Sequence, residues 1–202
     1  MIKLNDSFYE KSALVLAEEL LGKLLTQVVD GNRICGRIVE VEAYMGTLDK
    51  AAHSYGGKRT ERTEVMYGKP GLMYIFIIYG MYYCANIVAG ALDNPQAVLI
   101  RALEPVEGQE TMALNRYNKA FSDLTKQEKI KLTNGPGKLC MAMGINKTFN
   151  GLDLSKDKVF LEDDGYKPTI ITSKRIGIAY AEEAVDFPWR FYIKDNKYVS
   201  IK

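Results

Sequence analysis

The stretch from Arg37 to His53, RIVEVEAYMGTLDKAAH, constrains this chain more than any other. Ile38, Val39 and Val41 are β-branched and favour an extended backbone. Alternation then sends Glu40, Glu42 and Tyr44 to one face of a strand, and Val39, Val41 and Ala43 to the other. The apolar face demands a core, while the opposite face gathers two carboxylates and a phenol. The pattern breaks at Gly46, after which Asp49 is placed to cap one short helical turn, Lys50 to Ser54, that carries the chain's only histidine, His53. A strand-end carboxylate followed by Tyr and His across a short loop fits an acid/base site with aromatic walls. It fits equally an ordinary strand whose glutamates face water.

The surroundings read as support for that strand. Leu24 to Val29 and Arg33 to Tyr44 flank Asp30-Gly31-Asn32, a tight hairpin turn. Ser12 to Leu21 has the apolar spacing of an amphipathic helix, stopped by Gly22. A chain of 202 residues, 47% hydrophobic and 26% charged, suits one globular domain, residues 1–202, with a sizeable core. A net charge of +2 implies no nucleic-acid partner by itself, so any such reading rests on where the charges fall. Cys35, Cys84 and Cys140 are odd in number and far apart, as expected of reduced packing residues in a cytoplasmic protein. One histidine, no CxxC and no HExxH leave no expected metal site. The start, MIKLNDSFYEKS, lacks a signal-peptide pattern, and the longest apolar stretch, Leu72 to Met81, is too short to span a bilayer. Neither export nor membrane insertion is expected.

Charge and aromatic residues concentrate in the middle of the chain. Ser54 to Pro70 sets Lys58, Arg59, Arg62 and Lys69 against Glu61 and Glu64, with Thr60 and three glycines among them. Such a loop can grip phosphates or simply be solvated. Leu72 to Ile78 and Tyr82 to Val88 read as two strands around the bend Tyr79-Gly80-Met81, whose large side chains form a wedge or an interface patch. Gln96 to Leu103 is a further strand, ended by Glu104-Pro105 and interrupted by Arg101, which needs a carboxylate or a phosphate as partner. Val106 to Tyr117 and Ser122 to Lys131 read as helices. Asn134-Gly135-Pro136-Gly137 then precedes a small helix, Lys138 to Met143, whose amides and Lys138 suit a phosphate. Leu139 after Lys138 excludes a nucleotide-triphosphate loop. The remainder suggests short strands at Val159 to Leu161, Thr169 to Thr172, Arg190 to Ile193 and Tyr198 to Ile201. The economical architecture is one α+β domain around a mostly antiparallel sheet.

VEVEAY, AAHSYGGKRTERTEVMYGKPG, YIFIIYGMYYCANIV, VLIRALEP and NGPGKLCMAMGI, in this order and across nearly the whole chain, resemble the alkyladenine (3-methyladenine) DNA glycosylase family. The resemblance implies a single mixed domain with a curved sheet and a protruding hairpin that enters the minor groove of double-stranded DNA. It implies hydrolytic release of damaged purines, such as 3-methyladenine, 7-methylguanine or hypoxanthine, by a monomer without a cofactor. Glu42 falls on the family's general base, and Tyr44, His53, Phe76 and Asn86 on its base pocket. Tyr79, with Met81 and Tyr82, falls on the intercalating hairpin, and Lys58, Arg59, Thr60, Arg62, Arg101 and Lys138 on DNA and phosphate contacts. The final FYI and YVSI segments match the family's last strands. A cytoplasmic location follows, at the nucleoid if the source is bacterial. Two departures stand out: Glu61 occupies a position where many members have proline, and Phe76 lacks a hydroxyl often found there. Two other readings of the same residues are a glycoside hydrolase using Glu40 and Glu42, and a nucleic-acid-binding module without chemistry.

Overall fold

The computed structural model describes residues 1–29 and 31–201. In chain order the elements are β1 (Ile2–Lys3), α1 (Ala13–Leu20), β2 (Leu24–Val29), β3 (Asn32–Tyr44), β4 (Met73–Ile78), β5 (Tyr82–Ala89) and β6 (Gln96–Glu107). There follow α2 (Gln109–Tyr117), α3 (Lys126–Lys131), α4 (Pro136–Met143), β7 (Val159–Asp163), β8 (Ile170–Ser173) and β9 (Arg190–Ile193). The strands form one sheet in the order β1-β7-β2-β3-β6-β5-β4, with β9 on the far half of β3 and β8 beyond it. Every one of these pairings is antiparallel. The expected single α+β domain is therefore the observed one.

Local chemistry accounts for the helices. The Ser12 hydroxyl accepts from the Val15 amide at the start of α1, which buries Ala13, Leu16, Ala17 and Leu20 along one stripe and stops before Gly22 at φ +90°. Thr125 and Glu128 form a reciprocal capping box on α3. Helices α1, α2 and α4 cover one face of the sheet, where Val39, Val41 and Ala43 of β3 join Leu16, Leu20, Leu139 and Met143 in the main core. The opposite face of β3 carries Glu40, Glu42 and Tyr44, under the loops around residues 45–72 and 174–189.

Strand β3 is the hinge of this arrangement. It pairs with β2 through Arg37, then with β9 from Glu40, while keeping β6 on its other side. Register shifts flank Glu40, leaving Val39 on β3 and Arg101 on β6 each without an opposite residue. The local kink turns Arg101 toward the two glutamates.

Several boundaries differ from the sequence reading. Glu104-Pro105 does not end β6; Pro105 sits opposite Gly36 beside a register shift, where its missing N–H is tolerated, and the strand runs to Glu107. The next helix starts only after Gly108, whose φ of +76° breaks the extended backbone. Ser122 to Lys131 divides into a 3-10 turn, Phe121–Asp123, and α3. Lys50 to Ser54 forms turns and no helix, because Asp49 spends its carboxylate elsewhere as well as on the Ala51 amide. Tyr198 to Ile201 joins no ladder: the Ser200 amide and hydroxyl donate to Glu40, and Arg190 donates to the Ile201 carbonyl. In the expected turn Asp30-Gly31-Asn32, Asp30 lies outside the described residues.

Gly46 ends β3 and redirects the chain toward His53 at φ +77°, and a Cβ there would lie 2.9 Å from the Pro95 carbonyl oxygen. A left-handed backbone costs a non-glycine residue roughly 1–2 kcal/mol before any clash. Gly46→Ala is expected to lower the unfolding free energy by at least about that amount, seen as a lower urea midpoint; an unchanged midpoint would show that this turn is not constrained.

Candidate active site

A cleft of about 490 Å³ opens on the face of the sheet that carries the glutamates. Tyr44 from the end of β3, His53 from the following loop, Phe76 and Asn86 from the β4–β5 hairpin, Tyr79 from its tip and Arg101 from β6 all line it. In the sequence these residues lie on separate segments. The expected pocket set thus converges in space.

Glu42 lies directly beneath the cleft with no exposed surface. Its Oε1 accepts from the Ile176 amide at 2.7 Å and stands 3.2 Å from Arg101 Nη1, and its Oε2 accepts from the Tyr44 hydroxyl at 2.9 Å. All three partners are themselves on the cleft wall. Glu42 itself does not line the cleft; these three residues stand between it and the cavity. Burial, with Glu42 beside it, pushes the Tyr44 hydroxyl well above its ordinary value, so it stays a donor.

Arg101 answers the alternatives left open for it. Its guanidinium is buried between Glu40 Oε1, 2.9 Å from Nε, and Glu42, so its partners in the protein are carboxylates, while the residue also lines the cleft. Glu40 is fully used: its oxygens also accept from Arg190 Nε at 2.8 Å and from the Ser200 amide and hydroxyl. Two carboxylates and two guanidiniums make a balanced cluster.

His53 is held by side chains on both nitrogens. Arg62 can only donate, so His53 Nε2 accepts from its Nη2 at 3.3 Å, and Nδ1–H donates to the Tyr74 hydroxyl at 2.8 Å. Tyr74 is thus the partner that fixes the tautomer. Burial, then the Arg62 charge, lowers the imidazole pKa to about 4, so the ring is neutral at physiological pH. Phe76 meets it edge-on with ring centres 4.6 Å apart, and Arg62 lies 5.3 Å from the Phe76 ring centre. Asn86 Nδ2 donates to the Tyr74 carbonyl across the hairpin, which fixes its amide against the cleft. Cys84, also on the wall, has its thiol pushed up to about 11 by burial and is no nucleophile at neutral pH.

The hairpin tip is as expected. Tyr79 adopts φ +51° and is 86% exposed, and Met81 is 65% exposed. Tyr82 is also exposed, at 38%, and in addition packs on Gly137, where even a Cβ would lie 3.0 Å from its own. In the basic loop Lys58 is exposed, and the Thr60 amide donates to Thr63, whose buried hydroxyl reaches the Lys58 carbonyl. Arg59 is engaged by Glu64 and Asp93. Lys138 donates to Asn134 just ahead of α4.

Reasoning from sequence missed Tyr74, Ile176 and Tyr180, the last also on the cleft wall, and it read Asp49 as a cap without its buried partner Arg175. Tyr74 shares a face of β4 with Phe76, so alternation could have found it. Nothing local marks Ile176, which acts through its backbone.

The site is thus an aromatic cleft over a buried carboxylate, with an exposed tyrosine at the tip of the neighbouring hairpin. A family model for methylpurine-DNA glycosylase matches residues 7–197. Proteins named "Putative 3-methyladenine DNA glycosylase" from Desulfitobacterium hafniense (strain Y51) and Clostridium novyi (strain NT) are each 55% identical, over 203 and 202 residues, covering 100% of both chains. One of the same name from Clostridium tetani (strain Massachusetts / E88) is 52% identical over 203 residues, with equally full coverage. The chain belongs to the methylpurine-DNA glycosylase family.

Because the chain has a single histidine, its imidazole titration can be followed by NMR without assignment. The midpoint is expected at about 4, and Arg62→Gln should raise it by removing the like charge. An unfolded histidine protonates near 6.5, so this group leaves folding stability intact above that pH and erodes it as pH falls toward about 4. A wild-type midpoint near 6.5 would contradict the buried, neutral placement.

Proposed function

We propose that this protein is a monofunctional DNA glycosylase, acting as a monomer on double-stranded DNA and releasing alkylated or deaminated purines such as 3-methyladenine, 7-methylguanine and hypoxanthine. One observation carries the reading: a carboxylate, Glu42, is held beneath an aromatic cleft whose rim bears the exposed Tyr79. Family membership supports it. This reading sets the work in the cytoplasm, at the nucleoid, and the bacterial origin of the relatives is in keeping with it. No helix among the described residues is long and apolar enough to cross a membrane.

The glycosidic carbon is hidden inside a duplex, so the damaged nucleotide has to leave the stack at a cost of a few kcal/mol. Tyr79 fills the gap, and cations of the basic loop and Lys138 hold the flanking phosphates. The base comes to lie against Tyr44, across from His53 and Phe76. A cleft of about 490 Å³ falls in the size range of small-molecule sites, ~300–1,000 Å³. A cationic alkylpurine gains roughly 0.5–2 kcal/mol from the tyrosine ring, and a neutral His53 adds no like charge against it. Asn86 excludes guanine by occupying the place of its exocyclic amine.

Breaking the bond builds positive charge on the sugar, which the Glu42 carboxylate stabilises while it deprotonates the attacking water. Oε1 is fixed by Ile176 and Arg101, whereas among the described residues Oε2 is held only by the Tyr44 hydroxyl. A base that settles on Tyr44 shifts that hydroxyl and leaves Oε2 for the water. No lysine lines the cleft among the described residues, which favours hydrolysis without a Schiff base. Glu40 cannot serve as the second carboxylate of a glycoside hydrolase, since Arg101, Arg190 and Ser200 occupy it.

A duplex containing one hypoxanthine, treated with alkali after incubation, reveals abasic sites. Wild type is expected to release the base, and Glu42→Gln to lose ~10²–10⁴-fold in rate while still binding the duplex. Undiminished release by Glu42→Gln would move the base elsewhere, and absence of release by wild type on any purine lesion would leave a binding module. Tyr79→Ala should slow release from an intact pair more than from an unpaired target, and equal losses would argue against a wedge.

A further inference from the structure

Arg175 has no part in the chemistry above, yet it joins the end of β3 to the loop after it and to the loop before β9. Its side chain is fully buried, as is its partner Asp49. Nη1 donates to Asp49 Oδ2 at 2.5 Å and to the Ala43 carbonyl at 3.0 Å; Nη2 donates to Asp49 Oδ1 at 2.8 Å and to the Ala184 carbonyl at 3.3 Å. The guanidinium lies 4.8 Å from the centre of the Tyr44 ring and 4.9 Å from that of Trp189.

Each contact bears on the site. Ala43 stands between Glu42 and Tyr44, and Tyr44 is both a wall of the cleft and a donor to Glu42. The next residue along the chain, Ile176, gives Glu42 its shortest hydrogen bond, 2.7 Å. Asp49 in turn accepts from the amides of Met45 and Ala51, at the start of the loop that carries His53. One guanidinium therefore ties together the seat of the carboxylate, the ring beside it and the loop of the opposite wall. A buried ion pair is often no more stabilising than apolar side chains of the same volume, so stability alone gives little reason for one here. A planar fork with four bonds does fix orientation, which a lysine cannot reproduce.

We propose that Arg175 is a positioning residue for base release: through Ala43, Tyr44 and Ile176 it sets the Glu42 carboxylate in register with the ring of Tyr44. The inference rests on the glycosylase reading above and adds to it a part that no substrate contact reveals.

The test is single-turnover release of hypoxanthine from a duplex across a range of enzyme concentrations, which separates the rate constant at saturation from the half-saturating concentration. Wild type is compared with Glu42→Gln, Arg175→Lys and the double variant Asp49→Leu/Arg175→Met, with thermal melting to verify folding. The double variant, apolar for ionic at similar volume, is expected to melt cooperatively and to keep its half-saturating concentration within about threefold, while its rate constant falls ~10–100-fold from a misplaced carboxylate. Arg175→Lys keeps the charge but not the fork, and is expected to lose rate in the same way. A folded double variant with wild-type rate, or a loss confined to half-saturation, overturns the proposal. Should the double variant not fold, Arg175→Lys decides by the same two readings. Wild type that releases no base removes the glycosylase reading and this inference with it; active wild type with equally active Arg175 variants removes this inference alone.

Discussion

An ionised carboxylate can sit beneath an aromatic cleft only if charges inside the protein balance it, and everything at this site depends on that balance. Glu40 and Glu42 have no exposed surface, and Arg101 and Arg190 are almost as deeply buried. Two negative and two positive groups interlock, with Glu40 shared by both guanidiniums and Arg101 shared by both carboxylates. Loss of one member would leave a buried charge uncompensated, typically at a cost of about 3–5 kcal/mol. The sheet creates the place for this cluster. Where β3 exchanges β2 for β9, its ladder with β6 is irregular, and the irregularity lets Arg101 meet two residues of one strand.

The rest of the cleft is arranged around neutral, rigid groups. His53 is fixed between Tyr74 and Arg62 and stays uncharged, the Tyr44 hydroxyl remains protonated, and Asn86 is tied to the hairpin backbone. For the purines proposed as substrates, walls of this kind favour neither a cationic nor a neutral base by charge and leave shape and stacking to sort them. At its mouth Tyr79 combines strong exposure with a left-handed backbone, the kind of strain that marks a working position, and it is the side chain proposed to enter DNA.

Much of this could be read from the residues. Alternation in VEVEAY sent Glu42 and Tyr44 to one face, and the hairpin with its exposed tip followed from two β-rich runs around Tyr79-Gly80-Met81. Family motifs gathered the pocket set. What stayed hidden depended on long-range geometry. Arg101 reads from sequence as a phosphate contact as readily as a carboxylate partner, because only the irregular ladder shows which anion it meets. Glu40 looks like a second catalytic acid until Arg190 and Ser200 arrive from the end of the chain to occupy it. That same end, YVSI, has β-branched residues and still forms no strand, since its backbone groups are taken by side chains. Arg175 and Ile176 act on Glu42 from more than a hundred residues away, one through a fork of hydrogen bonds and the other through an amide.

The most direct measurement is a crystal structure of the Glu42→Gln variant bound to a duplex with a single hypoxanthine. The base is expected outside the helix, stacked on Tyr44 and facing His53, with the substituted side chain at position 42 below its sugar and Tyr79 in the vacated position. A base still paired within the duplex, or lodged anywhere other than over residue 42, would contradict the idea that this buried carboxylate does the chemistry.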